Sequence, residues 1–225
     1  AGKSTLIKGV AGIYSFDAGE YLFEGTPVSV HDPKAANALG IEVVYQDLAL
    51  CDNLDIVQNM MLGHEKLRGG ILDEISMEKT AKQTLSDLAV TTVRSVRQTV
   101  GSLSGGQRQS VAVAKAVMLD AQLVIMDEPT AALGVSQTEL VLTLIQRLAS
   151  RGHAVIVISH NLNDVFRVAD RIAVLYLGRL VAQGPASEFD RQSVVDIMTT
   201  GTSARRGNGN GESPGSSGGS NGLEG

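Results

Sequence analysis

Two short stretches, Leu123–Met126 and Ala154–Ile158, are apolar without interruption, the pattern of strands buried on both faces of a parallel sheet. Between them, residues 136–150 place Leu140, Leu144 and Leu148 on one stripe of a helix. Nearer the N-terminus, residues 5–10 carry Leu6, Ile7 and Val10 at helical spacing, with Gly12 as the stop. Residues 19–25 alternate polar and apolar positions between glycines, as a half-exposed antiparallel strand does, and residues 27–30 are placed to pair with it. Residues 41–45 form a further strand, ending at Gln46. From Leu54 to Leu119 the period becomes helical: Ile56, Val57, Met60 and Met61 share a face, and residues 75–90 make another helix. A methionine-bearing face of this kind is core or, less often, a partner surface. After His160, residues 161–169 read as a short helix, residues 171–177 and 179–183 as a strand pair around Gly178, and residues 187–199 as a last helix. From Gly201 onward Gly, Ser and Asn dominate, which predicts a disordered tail; Arg205 and Arg206 within it read as a solvated pair or a weak attraction to a membrane surface.

Three segments of this framework carry chemistry. Ser104-Gly105-Gly106-Gln107 opens a helix with bare backbone N–H groups at the positive end of the helix dipole, a seat for a phosphate. The strand at Leu123 ends in Asp127-Glu128-Pro129 and so delivers two carboxylates to the sheet's carboxyl edge. Gly2-Lys3-Ser4-Thr5 is the second half of a P-loop, whose backbone N–H groups and lysine hold phosphates. Taken singly, the last two also read as a chance helix start and a strand-ending turn. A lone His at a strand end, such as His160, is commonly structural, and His31, His64 and His153 have no context that suggests a role.

Composition narrows the field. A chain of 225 residues supports one domain with room for a subdomain. The net charge of −5 argues against a nucleic-acid surface, and no apolar run approaches the roughly twenty residues of a membrane-spanning helix. Cys51 is the single cysteine, so no disulfide forms within the chain; it reads as a small core hydrophobe in a reducing, cytosolic setting.

A P-loop end, an LSGGQ segment (Leu103–Gln107) and an Asp-Glu strand in this order resemble the ATP-binding-cassette (ABC) ATPase family over roughly residues 1 to 200. The resemblance implies an α/β P-loop NTPase fold with a central, mostly parallel sheet, a small antiparallel β layer (13–45), a helical subdomain (47–119), a RecA-like core for the remainder and a tail (201–225). It implies ATP as ligand, bound by Gly2, Lys3, Ser4 and Thr5, and Mg²⁺ held by Ser4, Gln46 and Asp127. Glu128 would polarise the attacking water as general base, His160 would contact the γ-phosphate, and Gln46 would couple the site to the helical subdomain. Ser104, Gly105, Gly106 and Gln107 would close on the ATP of a second cassette, itself or a homologue, in a head-to-tail dimer. Further implied partners are membrane permease subunits and, through them, a periplasmic sugar-binding protein, with no nucleic acid, at the cytoplasmic face of a bacterial membrane.

Residues 127–135 with Gln137-Thr138, and the run from Gly40 to Gln46, are similar to the simple-sugar importers of ribose, xylose and fructose type. One departure stands out. Family members often have Asp where this chain has Gly134, which bears on the coupling of two sites. The chain also begins inside the P-loop motif at Ala1-Gly2-Lys3, without its first glycine or preceding strand, so it reads as a fragment that binds ATP weakly and is marginally stable. Other functions compatible with the motifs are a non-transport ABC ATPase in DNA repair or translation, and a regulatory subunit with weak hydrolysis.

Overall fold

The computed structural model describes residues 2–202, so the tail expected beyond Thr202 lies outside the described residues. In chain order the elements are α1 (Lys3–Val10), β1 (Leu22–Phe23), β2 (Thr26–Pro27), α2 (Pro33–Ala38), β3 (Ile41–Val44), α3 (Ile56–Met61), β4 (Leu67–Arg68), β5 (Ile71–Leu72), α4 (Glu74–Asp87), α5 (Gly105–Met118), β6 (Leu123–Asp127), α6 (Val135–Ser150), β7 (Ala154–Ile158), α7 (Leu162–Val168), β8 (Arg171–Tyr176), β9 (Arg179–Pro185) and α8 (Arg191–Thr200).

A parallel sheet of order β3-β6-β7 organises the molecule, in register Val44↔Met126↔Val157 and Asp127↔Ile158. Val124, Ile125 and Met126 of the central strand are fully buried, and their alternation divides the core in two. Ile125 faces Ile7 of α1, Ala36 of α2, Val30 and Ile158. Val124 and Met126 face the other way, into a larger cluster with α5, α6 and the helical region, including Val111, Leu144 and Leu148. The β8–β9 ribbon packs Ile172 and Val174 against Val194 and Ile197 of α8 in a third, smaller cluster.

The mixed α/β architecture agrees with the sequence reading, and several details differ. Ile41–Val44, grouped on sequence with the antiparallel layer, is a strand of the parallel sheet, because its alternate residues find matching apolar faces on β6. The antiparallel layer is correspondingly thin, Leu22 and Phe23 pairing with Pro27 and Thr26. Strand β7 is not buried on both faces: it pairs with β6 alone among the described residues, and Ile156 on the α1 side is 45% exposed. In α6 the buried stripe runs through Val141, Leu144, Ile145 and Leu148, while Leu140 is largely exposed. The region read as helices also contains a hairpin, β4–β5, turning at Gly69-Gly70; its two-residue strands are too short for a periodicity signal. Cys51 is half-buried rather than core. The methionine face of α3, in contrast, is core: Met60 and Met61 are at most 2% exposed.

The segment after Gln46 has little regular structure and is tied down by one buried side chain. Asn59 of α3 accepts from Cys51 N at 2.7 Å and donates through Nδ2 to the carbonyls of Cys51, Leu54 and Asp55 at 2.9, 3.3 and 3.0 Å. Asp55 forms a capping box with Gln58 at the start of that helix, and Arg97 reaches across to Asp55, Glu74 and Glu78. Asn59→Leu strands buried polar backbone groups and is expected to cost about 3 kcal/mol in denaturant unfolding. Asn59→Asp, which turns carboxylate lone pairs toward three carbonyl oxygens, is expected to cost at least as much. Losses below about 1 kcal/mol for both would show that the loop is held by other contacts.

Candidate functional site

The carboxyl ends of β3, β6 and β7 and the N-terminus of α1 converge on one place. Helix α1 starts at Lys3 from Gly2, whose φ of 87° is left-handed. A Cβ there would also lie 3.0 Å from Gly178 Cα, in the turn between β8 and β9, so glycine is required twice over. This start aims the α1 backbone N–H groups and the Lys3 side chain toward the sheet edge, with Ser4 and Thr5 exposed beside them. Lys3 Nζ lies 3.4 Å from Glu128 Oε1.

Glu128 is the hub. It follows the last residue of β6 in a left-handed conformation (φ 49°), and its N–H donates to Ile158 O at 2.8 Å, so the neighbouring strand fixes where its side chain emerges. His160 Nδ1 donates to Glu128 Oε2 at 2.8 Å, and the His160 backbone N–H approaches the same oxygen at 3.4 Å. Burial disfavours the charge on Glu128. The His160 hydrogen bond, the Lys3 charge and the His160 N–H outweigh it, and the carboxyl is held below the ordinary glutamate range.

The Asp127 side chain makes no hydrogen bond or ion pair among the described residues, although it lies near enough to Tyr45 to add to the upward shift that burial imposes on that phenol. Gln46 is exposed just beyond the end of β3, the strand beside Asp127. No group of three or more His, Cys, Asp or Glu side chains among the described residues forms a metal cage. The donors here are instead one unengaged carboxylate, the exposed hydroxyl of Ser4 and the amide oxygen of Gln46. They are hard oxygens suited to a small divalent cation that takes its remaining ligands from phosphate and water.

Ser104–Gln107 stand apart from this cluster. None of their hydrogen bonds reaches Lys3, Glu128 or His160. Ser104 and Gln107 form a capping box on α5, and Gln107 Nε2 also donates to Thr92 O at 2.6 Å, so the Gln107 side chain serves the helix start. Gly105 and Gly106 press on the beginning of α6: a Cβ at Gly105 would lie 2.8 Å from Leu133 Cδ2, and one at Gly106 would lie 3.0 Å from Gln137 Cβ. Packing within the chain is therefore one reason for the paired glycines. Gly134 is the N-cap of α6 and supplies no side-chain cap. Two residues passed over on sequence also belong to the neighbourhood: Thr130 Oγ1, two positions beyond Glu128, donates to the buried Asp164 at 2.6 Å. Of the other histidines, His153 is structural, its Nδ1 bonding Ala121 O at 2.7 Å.

This geometry, a P-loop helix facing an acidic strand end with a separate glycine turn, is that of an ATP-binding cassette, and comparison with known proteins agrees. Residues 1–131 match the family model described as ABC transporter. The chain is 45% identical to the fructose import ATP-binding protein of Rhizobium meliloti, over 88% of this chain and 79% of that one. It is 39% identical to a ribose import ATP-binding protein of Chromobacterium violaceum, again over 88% of this chain but only 39% of that longer one. Among solved structures, cbiO1 of Clostridium perfringens, part of the ABC transporter complex cbiONQ, superposes with a TM-score of 0.71 at 25% identity, over 89% of this chain and 80% of that one. The chain belongs to the ABC transporter family.

The depressed Glu128 carboxyl sets a pH dependence. A group that ionises more readily when folded adds stability above its unfolded value, about 4.3 for Glu, and loses it as pH falls through the lower folded value. The difference in thermal stability between the native protein and Glu128→Gln is therefore expected to shrink as pH is lowered from about 6 to about 3. A difference that widened toward acid would contradict the contacts described.

Proposed function

We propose that this chain is the ATP-binding and hydrolysing subunit of an importer that drives uptake of a simple sugar across the bacterial cytoplasmic membrane. The observation that carries the reading is the placement of Glu128 at the sheet's carboxyl edge between Lys3 and His160, 3.4 and 2.8 Å away. The relatives named for fructose and ribose import support the sugar class. No described helix is long and apolar enough to cross a membrane. The proposed transport path is formed by separate permease subunits, on which this chain docks from the cytoplasmic side and which a sugar-binding protein serves.

In this reading the α1 N-terminus and Lys3 hold the β- and γ-phosphates. Ser4, Gln46 and Asp127 hold Mg²⁺, which neutralises phosphate charge when bound. Glu128, kept ionised by its neighbours, takes a proton from a water aligned on the γ-phosphorus. The water oxygen bonds to phosphorus as the bond to the ADP oxygen breaks, giving ADP and phosphate. His160 fixes the Glu128 carboxylate while remaining 72% exposed, within reach of a phosphate oxygen arriving from outside. Ser104, Gly105 and Gly106 present the α5 N-terminus to the ATP of a second copy, so nucleotide binding joins two subunits and hydrolysis releases them.

Glu128→Gln in the full-length protein keeps the side chain's shape and removes the base. Turnover is expected to fall by about a thousandfold. ATP affinity is expected to persist, with ATP-bound dimers accumulating in sedimentation velocity runs. Near-native hydrolysis by this variant would overturn the role given to Glu128.

A further inference from the structure

We propose that Thr130 and the buried Asp164 form a latch that positions Glu128 for hydrolysis, an inference that rests on the catalytic reading of Glu128 given above. Glu128 is a non-glycine residue at φ 49°, and Ala132, four positions on, is at 59°. Both lie in the left-handed region, which L-residues occupy at a cost and keep only where their surroundings over-determine them. On one side the restraint is plain: Glu128 N–H is bonded to Ile158 O at 2.8 Å, and Ala131 N–H returns to Glu128 O at 3.1 Å.

On the other side the restraint is Thr130. Its hydroxyl reaches 34 positions along the chain to Asp164 Oδ2 at 2.6 Å. Asp164 lies on α7, the helix that begins directly after His160-Asn161, and it is only 6% exposed. A carboxylate at this depth is costly to bury without compensation; Arg167, three positions along α7, offsets part of its charge, and the Thr130 hydroxyl supplies a direct hydrogen bond. The bond it accepts joins the turn carrying the base to the helix that follows the histidine, so Glu128 and His160 move as one body. Neither Thr130 nor Asp164 touches the reacting atoms; both are positioning residues. Without the latch the turn loses its one side-chain hydrogen bond to α7, and the 2.8 Å contact between Glu128 and His160 loses its register.

The test is steady-state ATP hydrolysis by the full-length protein. Thr130→Val removes the donor with little change of shape; Thr130→Ser restores a hydroxyl, and Asp164→Asn keeps an acceptor oxygen for it. Thr130→Val is expected to lower kcat about 10- to 100-fold with KM for ATP within about twofold of native, as for a misplaced base rather than a damaged phosphate site. Thr130→Ser and Asp164→Asn are expected to stay within about fivefold of native kcat, and Thr130→Val combined with Asp164→Ala to lose no more than Thr130→Val alone. Equal effects on kcat and KM, no rescue by serine, or additive losses in the double variant would overturn the latch and leave a purely structural role. Glu128→Gln run in parallel separates the two readings. If it is silent while Thr130→Val is active, the latch alone falls. If Glu128→Gln itself hydrolyses ATP, the catalytic reading falls and the latch with it.

Discussion

The register of three parallel strands governs everything functional in this chain. Pairing Val44 with Met126 and Val157, and Asp127 with Ile158, brings Gln46, Asp127, Glu128 and His160 out at one edge. A slip of one residue on β6 would send Val124 and Met126 to the α1 face and Ile125 to the helical face, exchanging side chains of different shape between two closely packed layers. The apolar run Leu123–Met126 therefore does two things at once. It secures the core, and through that it fixes the height at which two carboxylates leave the sheet.

What the strands deliver, the flanking elements arrange. Glycine at position 2 lets α1 begin against the β8–β9 turn with Lys3 facing Glu128, and the hydrogen bond from Glu128 N–H to Ile158 O ties Glu128 to the strand that leads to His160. The outcome is a carboxylate whose charge is stabilised from two sides despite partial burial. The glycine turn at Ser104 is built by different forces: a capping box holds its conformation, and contact with Leu133 and Gln137 holds its place. Because Leu133 follows Glu128 by only five positions, the loop between β6 and α6 joins the two regions.

Much of this was legible in the sequence, for identifiable reasons. Uninterrupted apolar strands, a glycine-lysine helix start and an Asp-Glu strand end are local patterns, and Lys3 and Glu128 lie together where they end; His160, which no local pattern marks, is bonded to the same carboxylate. The interactions that escaped are long-range or carried by residues of ordinary type. Nothing local marks Asn59 as the clamp on the segment after Gln46, or Asp164 as the partner of a hydroxyl on another loop. Likewise Ile41–Val44 reads as a strand, but its choice of β6 over the antiparallel layer depends on a face that only the folded sheet provides. Gln107 was assigned to nucleotide on the strength of its motif, and the structure gives its side chain a helix to cap.

On the proposed reading, the cluster of Lys3, Glu128 and His160 at one edge and the glycine turn at Ser104, which forms no bond to it, are two half-sites on one chain. The central claim is that they work only across a pair of copies. Its most direct test is the ATP turnover rate per chain of the full-length protein, measured across a dilution series with the association state followed in parallel by light scattering. Activity per chain is expected to fall away as dimers dissociate and to return on concentration. A constant rate per chain in a strictly monomeric preparation would contradict the claim.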